Sequence, residues 1–366
     1  MKKNMLVMFG GPSVEHDVSL ITANQAIKQI DENKYRIILF YWTRDGRFLV
    51  THYHNKPIIS LAKFCEKGQE ASIKKGKVVV RSYIGASQIK VDVCLPLFHG
   101  TYGEDGAIQG LLEAMDVPYI GCGVTSSALG MDKVLFKAVL NENKIPVLNY
   151  SKVTNISQLT DIKLSYPMIA KPAHLGSSIG VKKVNNETDL RDAVNVILSL
   201  DSVAIIEPYL SNMMEVNCSV LGSTKECKAS VTEQPISTEE ILSFADKYMR
   251  GGKGKKTGSK NGMAGLDRRI PAPIDKLQED KIKKYAVEVF KSLGCSGVSR
   301  VDFMIDKKTN NIYVTEINTI PVSLSFYLWE ASGITYKELI DKLVGIADFE
   351  HAEKNKLIRA VATPLS

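Results

Sequence analysis

The chain has 366 residues, of which 44% are hydrophobic and 24% charged, so it is too apolar for a disordered protein. This length exceeds that of most single domains and predicts two or three packed domains. No window approaches about 18 uninterrupted apolar residues, which predicts no membrane span. The short apolar run near the amino terminus lacks a signal-peptide cleavage site. The six cysteines have no regular spacing, which favours reduced thiols and a cytoplasmic location.

The formal net charge of +7 is concentrated in residues 246–260, which contain six Lys or Arg residues and one Asp. Such a local concentration argues against a general nucleic-acid-binding surface, and Tyr248 is the only aromatic residue among these lysines. A solvated loop and an anion-binding lid both fit this composition. The sequence therefore predicts no nucleic-acid partner.

The first part of the chain has the pattern of an α/β domain. Its predicted elements are strands at 4–9, 36–42 and 91–98 and a helix at 18–30. Runs of consecutive apolar residues are typical of strands buried on both faces of a parallel sheet, whose binding sites lie at the carboxyl ends of the strands. The segment 66–77 is polar and irregular, and the pattern assigns it no role.

The pattern changes after residue 124. The predicted elements that follow are a helix at 126–143, strands at 166–171 and 203–207, a helix at 280–293, strands at 297–305 and 311–317, and a helix at 335–346. The last two strands are joined by the short polar segment 306–310, which predicts a β-hairpin.

This hairpin carries a group of polar residues on otherwise apolar strands. Arg300 and Asp302 are two residues apart and share one face of their strand, as do Glu316 and Asn318 on the next. Carboxylate and amide oxygens suit Mg²⁺, which takes few protein ligands and completes its shell with phosphate and water. A buried salt bridge of Arg300 with Asp302 or Glu316 is the structural alternative.

Three further motifs place polar residues at turns. Residues 176–180, Gly-Ser-Ser-Ile-Gly, are typical either of a phosphate-binding loop or of a hairpin turn, and they do not form a Walker A motif. Glu15 follows a predicted strand, where a negative charge at a helix N-terminus is the simplest interpretation. His99 ends a buried strand, where a hydrogen-bonded core histidine is the default.

Together the motifs resemble D-alanine–D-alanine ligases of the ATP-grasp superfamily, over residues 4–348. The segments that carry the resemblance are GGPSVEHDVSL, HGTYGEDGAIQG, SSALGMDK, KPAHLGSSIG, RVDFMID and EINTIP, in the order of the family. It implies an α/β domain with an open parallel sheet, followed by the two lobes of an ATP-grasp fold, and it implies a homodimer. The implied boundaries are 1–124 for the α/β domain, 125–212 for the small central lobe, 213–352 for the carboxyl-terminal lobe with a basic lid at about 246–264, and 353–366 for a tail.

The resemblance also implies ATP and two Mg²⁺ ions, or Mn²⁺ in their place, bound between the two lobes. Lys133 and Lys171 would contact phosphates, and Glu215 would hold the ribose. The full set implied for the nucleotide is Lys133, Lys171, Ser177, Ser178, Glu207, Pro208, Leu210 and Glu215, with adenine at Glu207, Pro208 and Leu210. The implied metal ligands are Asp302, Glu316 and Asn318.

The implied reaction joins two D-amino acids for peptidoglycan synthesis. The carboxylate of the first attacks the γ-phosphate of ATP to give an acyl phosphate, and the amine of the second displaces the phosphate. The implied catalytic residues are Glu15, Ser177 and Tyr248 as a hydrogen-bonded triad, together with Arg300, His99 and Lys247. The implied substrate contacts are Glu15, Val18, His99, Arg300, Val322, Tyr327 and Leu328.

Two segments depart from the family pattern, and both concern the second amino acid. Val322 stands where a glycine amide usually helps to form the oxyanion hole, and valine is costly at positive φ. Phe326–Leu328 stands where a serine usually helps to hold the carboxylate of the second substrate, which leaves Lys247 to hold it largely alone. D-Ser or another second substrate is therefore the alternative to D-Ala. A non-catalytic nucleotide-binding regulator is disfavoured by the complete metal-ligand set.

Overall fold

A computed structural model of the chain describes residues 2–53, 60–82, 85–236 and 267–357. The elements of its first part are β1 (Lys3–Gly10), α1 (His16–Ile27), β2 (Tyr35–Trp42), β3 (Phe48–His52), α2 (Leu61–Cys65), β4 (Gln69–Lys74), β5 (Lys77–Ser82), β6 (Gly85–Lys90), β7 (Val93–Pro96) and α3 (Ala107–Ala114). They form a sheet with the strand order β6-β5-β4-β3-β2-β1-β7.

The centre of this first sheet is parallel, as the sequence predicts. Strand β1 runs parallel to both β2 and β7, and the apolar residues of β1 and β2 are buried. The other strand pairs are antiparallel. The segment 66–77, to which the sequence pattern assigned no role, contains strand β4 and the first residue of β5. Strand β4 is mostly exposed or half-buried, so it lacks the apolar run that marks a central strand.

Two further sheets follow along the chain. Their elements are α4 (Val124–Met131), α5 (Lys133–Glu142), β8 (Ser151–Val153), β9 (Met168–Pro172), β10 (Lys182–Val184), α6 (Glu187–Leu200), β11 (Ala204–Pro208), β12 (Met213–Gly222), β13 (Cys227–Pro235), β14 (Arg268–Arg269), α7 (Lys276–Ser292), β15 (Gly297–Asp306), β16 (Ile312–Asn318), α8 (Phe326–Glu330) and α9 (Tyr336–Asn355), with short 3₁₀ helices at Ile156–Asp161 and Val322–Ser325. The second sheet has the order β10-β9-β11-β8 and the third β14-β13-β12-β15-β16. Each sheet takes its strands from one of the three predicted segments, whose boundaries stay predictions. In the described ranges, no helix is long and apolar enough to cross a membrane.

The single helix predicted at 126–143 is wrong, because the chain breaks it at Asp132. Asp132 has an extended backbone (φ −86°, ψ 102°), and its side chain accepts hydrogen bonds from the N–H groups of Val134 and Leu135 at 2.8 and 3.0 Å. Aspartate is a favoured N-cap, and the apolar periodicity that continues through it hides the break. The break makes Lys133 the first residue of α5.

The third sheet has one apolar and one polar face. Val216, Val301 and Phe303 are buried on the apolar face, in a core that includes Ile282 and Val289 of α7. Because strand side chains alternate, the residues between them point to the opposite face. That face carries the polar residues of the predicted hairpin.

The N-terminus of α7 offers a test of the fold away from the site. Asp275 caps this helix and forms a capping box with Gln278, in an exposed position. Asp275→Ala is expected to lower the free energy of unfolding by about 1 kcal/mol, whereas Asp275→Asn, which preserves the cap, changes it little. Urea denaturation compares the two variants. Equal stability of both would contradict the capping role.

Candidate active site

The pairing of β15 with β16 and with β12 places the polar residues of the third sheet next to one another. Arg300 lies opposite Asn318, and Asp302 lies opposite Glu316, across the pair β15–β16. On the other side, Asn217 of β12 lies opposite Asp302. Directly paired residues of neighbouring strands project to the same face. The structure therefore brings the four predicted hairpin residues together.

The salt bridge that the sequence left as an alternative is also present. Arg300 donates from Nε to Asp302 Oδ1 at 2.6 Å and from Nη2 to Oδ2 at 2.7 Å. Asn318 Nδ2 donates to Asp302 Oδ2 at 3.1 Å. Burial raises the pKa of Asp302 to about 6 although Arg300 opposes the shift, and Glu316 adds to it. The four hairpin residues therefore carry two carboxylates, Asp302 and Glu316, but only the single positive charge of Arg300.

The carboxylate and amide oxygens on this face suit a divalent cation whose remaining ligands come from phosphate and water. Within the part of the chain that the structure describes, no group of three or more His, Cys, Asp or Glu side chains could hold a metal ion. The predicted set instead has two carboxylates, Asp302 and Glu316, and the amide of Asn318. Few protein oxygens and excess negative charge are the conditions that suit Mg²⁺ with phosphate as a further ligand.

Glu15 lies across from this face, at the turn between β1 and α1. It is the N-cap of α1, so its charge lies at a helix N-terminus as expected, although its side chain makes no capping hydrogen bond. Instead, Ser177 Oγ donates a hydrogen bond to Glu15 Oε1. A Cβ atom on Gly100 would lie 2.5 Å from both Glu15 Oε2 and Ser13 Oγ, and φ of Gly100 is +72°. The buried carboxylate therefore depends on a glycine beside it.

His99 is buried beside Glu15 and hydrogen-bonded, as expected of a core histidine. Its Nε2 lies 2.9 Å from Thr22 Oγ1, and its Nδ1 lies 3.9 Å from Glu104 Oε2. Burial and the nearby Arg300 lower the pKa of His99 to about 3, so the ring is neutral. Burial and Glu15 raise the pKa of Glu104 to about 8. The predicted substrate residue Val18 is buried in the first turn of α1.

Three lysines with little exposed surface lie on α5 and on β9 of the second sheet. Lys133 Nζ donates to the carbonyl of Leu175 at 2.7 Å, next to residues 176–180. Lys171 and Lys137 each lie 2.5 Å from a different oxygen of Glu207. Burial alone would raise the pKa of Glu207, but the two lysines outweigh it and lower the pKa to about 2. The three side chains therefore form a charged, interlocked group.

The segment 176–180 connects the antiparallel strands β9 and β10, so it is a hairpin loop that also reaches Glu15. Ser177 and Ser178 both have left-handed backbones, with φ of 54° and 60°. His174, just before the loop, is 2.7 Å from Asp201 and 3.3 Å from Asp132. These ion pairs fix the start of the loop to the ends of α5 and α6.

The remaining residues predicted for the nucleotide lie at the end of β11 and near the start of β12. Pro208 and Leu210 are half-buried at the end of β11, and the N–H of Tyr209 between them donates to the carbonyl of Pro167. Glu215 is half-buried and lies opposite Met304 in the third sheet, on the polar face. The predicted hinge therefore lies between the second and third sheets.

The residues predicted for the second amino acid lie around α8. Val322 does not have a positive φ, so the expected cost for valine does not arise; the following Ser323, Leu324 and Ser325 do, with φ of 54°, 56° and 50°. Tyr327 Oη donates to Glu233 Oε1 at 2.8 Å. Leu328 is fully buried, and its place among the substrate residues stays a prediction.

Sequence reasoning missed several residues that contact the predicted ones. Lys137 lies one helical turn after Lys133, and this spacing could have pointed to it. Glu104 lies within a motif that carried the family resemblance, yet it received no role. Glu233 has no local signal, because it is one acid in an ordinary strand. The predicted catalytic residues Lys247 and Tyr248, and the lid at about 246–264, lie outside the described residues.

Comparison with known proteins agrees with this geometry. Two family models match, "D-ala D-ala ligase N-terminus" over residues 4–122 and "D-ala D-ala ligase C-terminus" over residues 127–345. A D-alanine–D-alanine ligase of Thermosipho africanus is 40% identical, over 99% of this chain and 98% of that protein. The D-alanine-D-alanine ligase structure from Coxiella burnetii is 29% identical, with a TM-score of 0.80 over 98% of both chains. The VanG D-Ala:D-Ser ligase of Enterococcus faecalis is 30% identical, with a TM-score of 0.78 over 95% of this chain and 100% of that one.

The polar sheet face, the lysines on α5 and β9 and these structural neighbours define a ligase of the ATP-grasp fold. Both the expected fold class and the enzyme class are thereby confirmed. The two family models together span nearly the whole chain. The chain belongs to the D-alanine–D-alanine ligase family.

The interlocked lysines generate a prediction about stability and pH. Lys137→Met leaves buried Glu207 with one lysine and is expected to lower the free energy of unfolding at pH 7 by about 3–5 kcal/mol. Because the pKa of Glu207 is lowered from 4.5 to about 2, its stabilising charge is fully present above pH 4.5 and is lost as pH falls toward 2. The difference between the wild type and Lys137→Met should therefore shrink over that range.

Urea denaturation at several pH values measures this difference. Lys152→Met removes an exposed lysine from the neighbouring strand β8 and serves as the matched control, with a change within about 0.5 kcal/mol. A destabilisation of Lys137→Met that stayed constant from pH 7 to pH 2 would show that lost packing, and not the ion pair, is responsible.

Proposed function

We propose that the protein joins two D-amino acids in an ATP-dependent reaction, with D-alanine in both positions as the leading case. The observation that carries the proposal is the group on the polar face, where Arg300 and Asp302 lie opposite Asn318 and Glu316. This group combines one guanidinium with carboxylate and amide oxygens, which suits phosphoryl transfer from a metal-bound nucleotide. Peptidoglycan precursor synthesis is the corresponding role.

ATP would occupy the cleft between the second and third sheets. Lys133 and Lys171 would contact its phosphates, and the backbone and hydroxyl groups of Ser177 and Ser178 would cover them. Adenine would lie at Glu207, Pro208 and Leu210, and the ribose at Glu215. The support is the arrangement itself: Lys171 is held by Glu207, and Lys133 lies against the loop that carries both serines.

Asp302, Glu316 and Asn318 would hold Mg²⁺, for which the donor set and the excess negative charge are suited. When bound, the metal supplies neutralisation of the phosphate charge during transfer. Arg300 is fixed by both oxygens of Asp302, so its remaining N–H groups have a defined direction. It would stabilise the transferring phosphoryl group and the later oxyanion.

The first amino acid would bind between the first sheet and the polar face. Glu15 would hold its ammonium group, oriented by Ser177 and, in the family pattern, by Tyr248. The neutral ring of His99 would lie near its carboxylate and can act there only as an uncharged partner. The carboxylate would attack the γ-phosphate of ATP to form the acyl phosphate.

The second amino acid would enter near α8 and attack the acyl phosphate with its amine. The backbone N–H of Val322 would contribute to the oxyanion hole, and Lys247 and Tyr327 would lie near the carboxylate of this substrate. A D-Ser-accepting enzyme is the second candidate, because the VanG D-Ala:D-Ser ligase is among the similar structures. A homodimer and a cytoplasmic location complete the proposal.

The amino-acid preference can be measured directly. Purified protein with ATP and Mg²⁺ is expected to release phosphate with D-Ala alone and to form the D-Ala–D-Ala dipeptide, detected by mass spectrometry. Matched incubations with L-Ala serve as the control. Phosphate release only with D-Ala and D-Ser together would favour the second candidate. No release with any D-amino acid would overturn the proposed function.

The metal assignment generates a second prediction. Glu316→Gln is expected to lower kcat by about 100-fold or more at saturating Mg²⁺, while Asp306→Asn at the far end of β15 retains activity. Asp302→Asn should lose activity and also stability, because it breaks the buried pair with Arg300. Activity of Glu316→Gln within about tenfold of the wild type, or roughly 1.4 kcal/mol, would contradict the metal role.

A further inference from the structure

A row of polar side chains crosses four strands of the third sheet. Glu233 on β13 lies opposite Asn217 on β12, which lies opposite Asp302 on β15, which lies opposite Glu316 on β16. All four therefore project to the polar face. The half of the row at Asp302 and Glu316 belongs to the proposed phosphoryl-transfer site. The other half, at Glu233, has no role in the proposed reaction so far.

Glu233 is the centre of a buried hydrogen-bonded group. Only 1% of its surface is exposed. Its Oε1 accepts hydrogen bonds from Tyr327 Oη at 2.8 Å and from Asn217 Nδ2 at 3.1 Å, and its Oε2 lies 3.1 Å from Arg268 Nη1. A buried carboxylate is tolerated when it is paired and hydrogen-bonded in this way. Glu233 thus fixes Tyr327 and Arg268 relative to the polar face.

Arg268 makes contacts of two different kinds with Tyr327 and Glu233. Its guanidinium carbon lies 3.8 Å from the centre of the Tyr327 ring, while one nitrogen pairs with Glu233. The ring contact holds the guanidinium over the face of Tyr327, and the ion pair limits how it can turn there. A guanidinium oriented in this way matches the planar geometry of a carboxylate. About 12% of the Arg268 side chain is exposed, so it borders solvent-accessible space.

The group formed by Glu233, Tyr327 and Arg268 lies beside the proposed phosphoryl-transfer site at Arg300. Burial raises the pKa of Tyr327, the charge of Glu233 adds to this effect, and both Arg300 and Arg268 oppose it. Tyr327 therefore lies within electrostatic reach of both guanidinium groups. In an α-amino acid, one carbon separates the amine from the carboxylate, so a substrate whose amine attacks near Arg300 must place its carboxylate close by.

We propose that Arg268 binds the carboxylate of the second amino acid, and that Glu233 and Tyr327 are the positioning residues that hold it. Arg300 is bound through two of its nitrogens to Asp302 and serves the phosphoryl group. The carboxylate of the second amino acid is therefore assigned to Arg268, the neighbouring arginine on this face. The inference rests on the proposed function. It replaces the expectation that Lys247 holds this carboxylate largely alone.

A nucleophile that has no carboxylate distinguishes loss of carboxylate binding by Arg268 from a general loss of enzyme activity. In the full-length enzyme with ATP, Mg²⁺ and D-Ala, hydroxylamine traps the acyl phosphate as a hydroxamate and needs no carboxylate-binding residue. Arg268→Gln is expected to retain hydroxamate formation within about 3-fold while dipeptide formation falls by about 10- to 100-fold, the scale of a charged hydrogen bond. Arg269→Gln removes the neighbouring exposed arginine and should leave both reactions unchanged.

The positioning residues have a graded test. Tyr327→Phe retains the ring under Arg268 but loses the hydrogen bond to Glu233, so it should raise the KM of the second amino acid by about 3- to 10-fold with an unchanged hydroxamate rate. Arg268→Lys retains the charge but not the planar fork. Its rate of dipeptide formation should fall less than that of Arg268→Gln. If Arg268→Gln does not fold, Arg268→Lys is used for the same comparison of dipeptide and hydroxamate formation.

Each outcome decides between distinct conclusions. If the wild type forms neither hydroxamate nor dipeptide from D-amino acids, the proposed function is overturned, and this inference with it. If the wild type forms both products, and the Arg268 variants either retain normal dipeptide synthesis or lose both reactions equally, the proposed function stands and the role of Arg268 is overturned. Selective loss of dipeptide formation supports the role of Arg268.

Discussion

The buried ion pair between Arg300 and Asp302 constrains the rest of the candidate site. Removing two charges from water costs several kcal/mol per ion unless the two charges pair with each other and neighbouring groups satisfy their remaining hydrogen bonds. Asn318 supplies one of these groups from the next strand. A slip of one residue in β15 would turn Arg300 and Asp302 into the apolar core and expose Val301 and Phe303. The charged pair and the core therefore enforce the same register.

A left-handed turn links the two proposed amino-acid sites. Ser323, Leu324 and Ser325 are consecutive residues at positive φ, a conformation that costs of order 1–3 kcal/mol per residue and persists only where its surroundings enforce it. The surroundings here are α1, because the N–H of Ser323 donates to Thr22 Oγ1, the same hydroxyl that contacts His99. The direction of α8, and with it the position of Tyr327, is thus tied to the first-substrate side.

The predictable part of the site is the part that depends on local sequence. Arg300, Asp302, Glu316 and Asn318 could be grouped because a hairpin pairs neighbouring strands and strand side chains alternate. The contact of Glu233 with Tyr327 could not, because it requires α8 to dock on β13 from a distant part of the chain. The pattern of apolar residues also failed at two elements of the fold. It predicted one helix across the N-cap at Asp132, and it did not predict the strand β4, whose residues are mostly polar.

In the proposed reaction, the distribution of charge around the candidate site would orient the first amino acid before any chemistry occurs. The side formed by α5 and the second sheet presents Lys133 and Lys171, whereas the side next to the first sheet presents Glu15 and Glu104. Burial, with the charge of Glu15 adding to it, raises the pKa of Glu104 to about 8, so Glu15 carries most of the negative charge on this side near neutral pH. A zwitterionic amino acid between the two sides lowers its energy by turning its ammonium toward the acids. Its carboxylate then faces the lysines and the phosphates they attract, which is the orientation that acyl-phosphate formation requires.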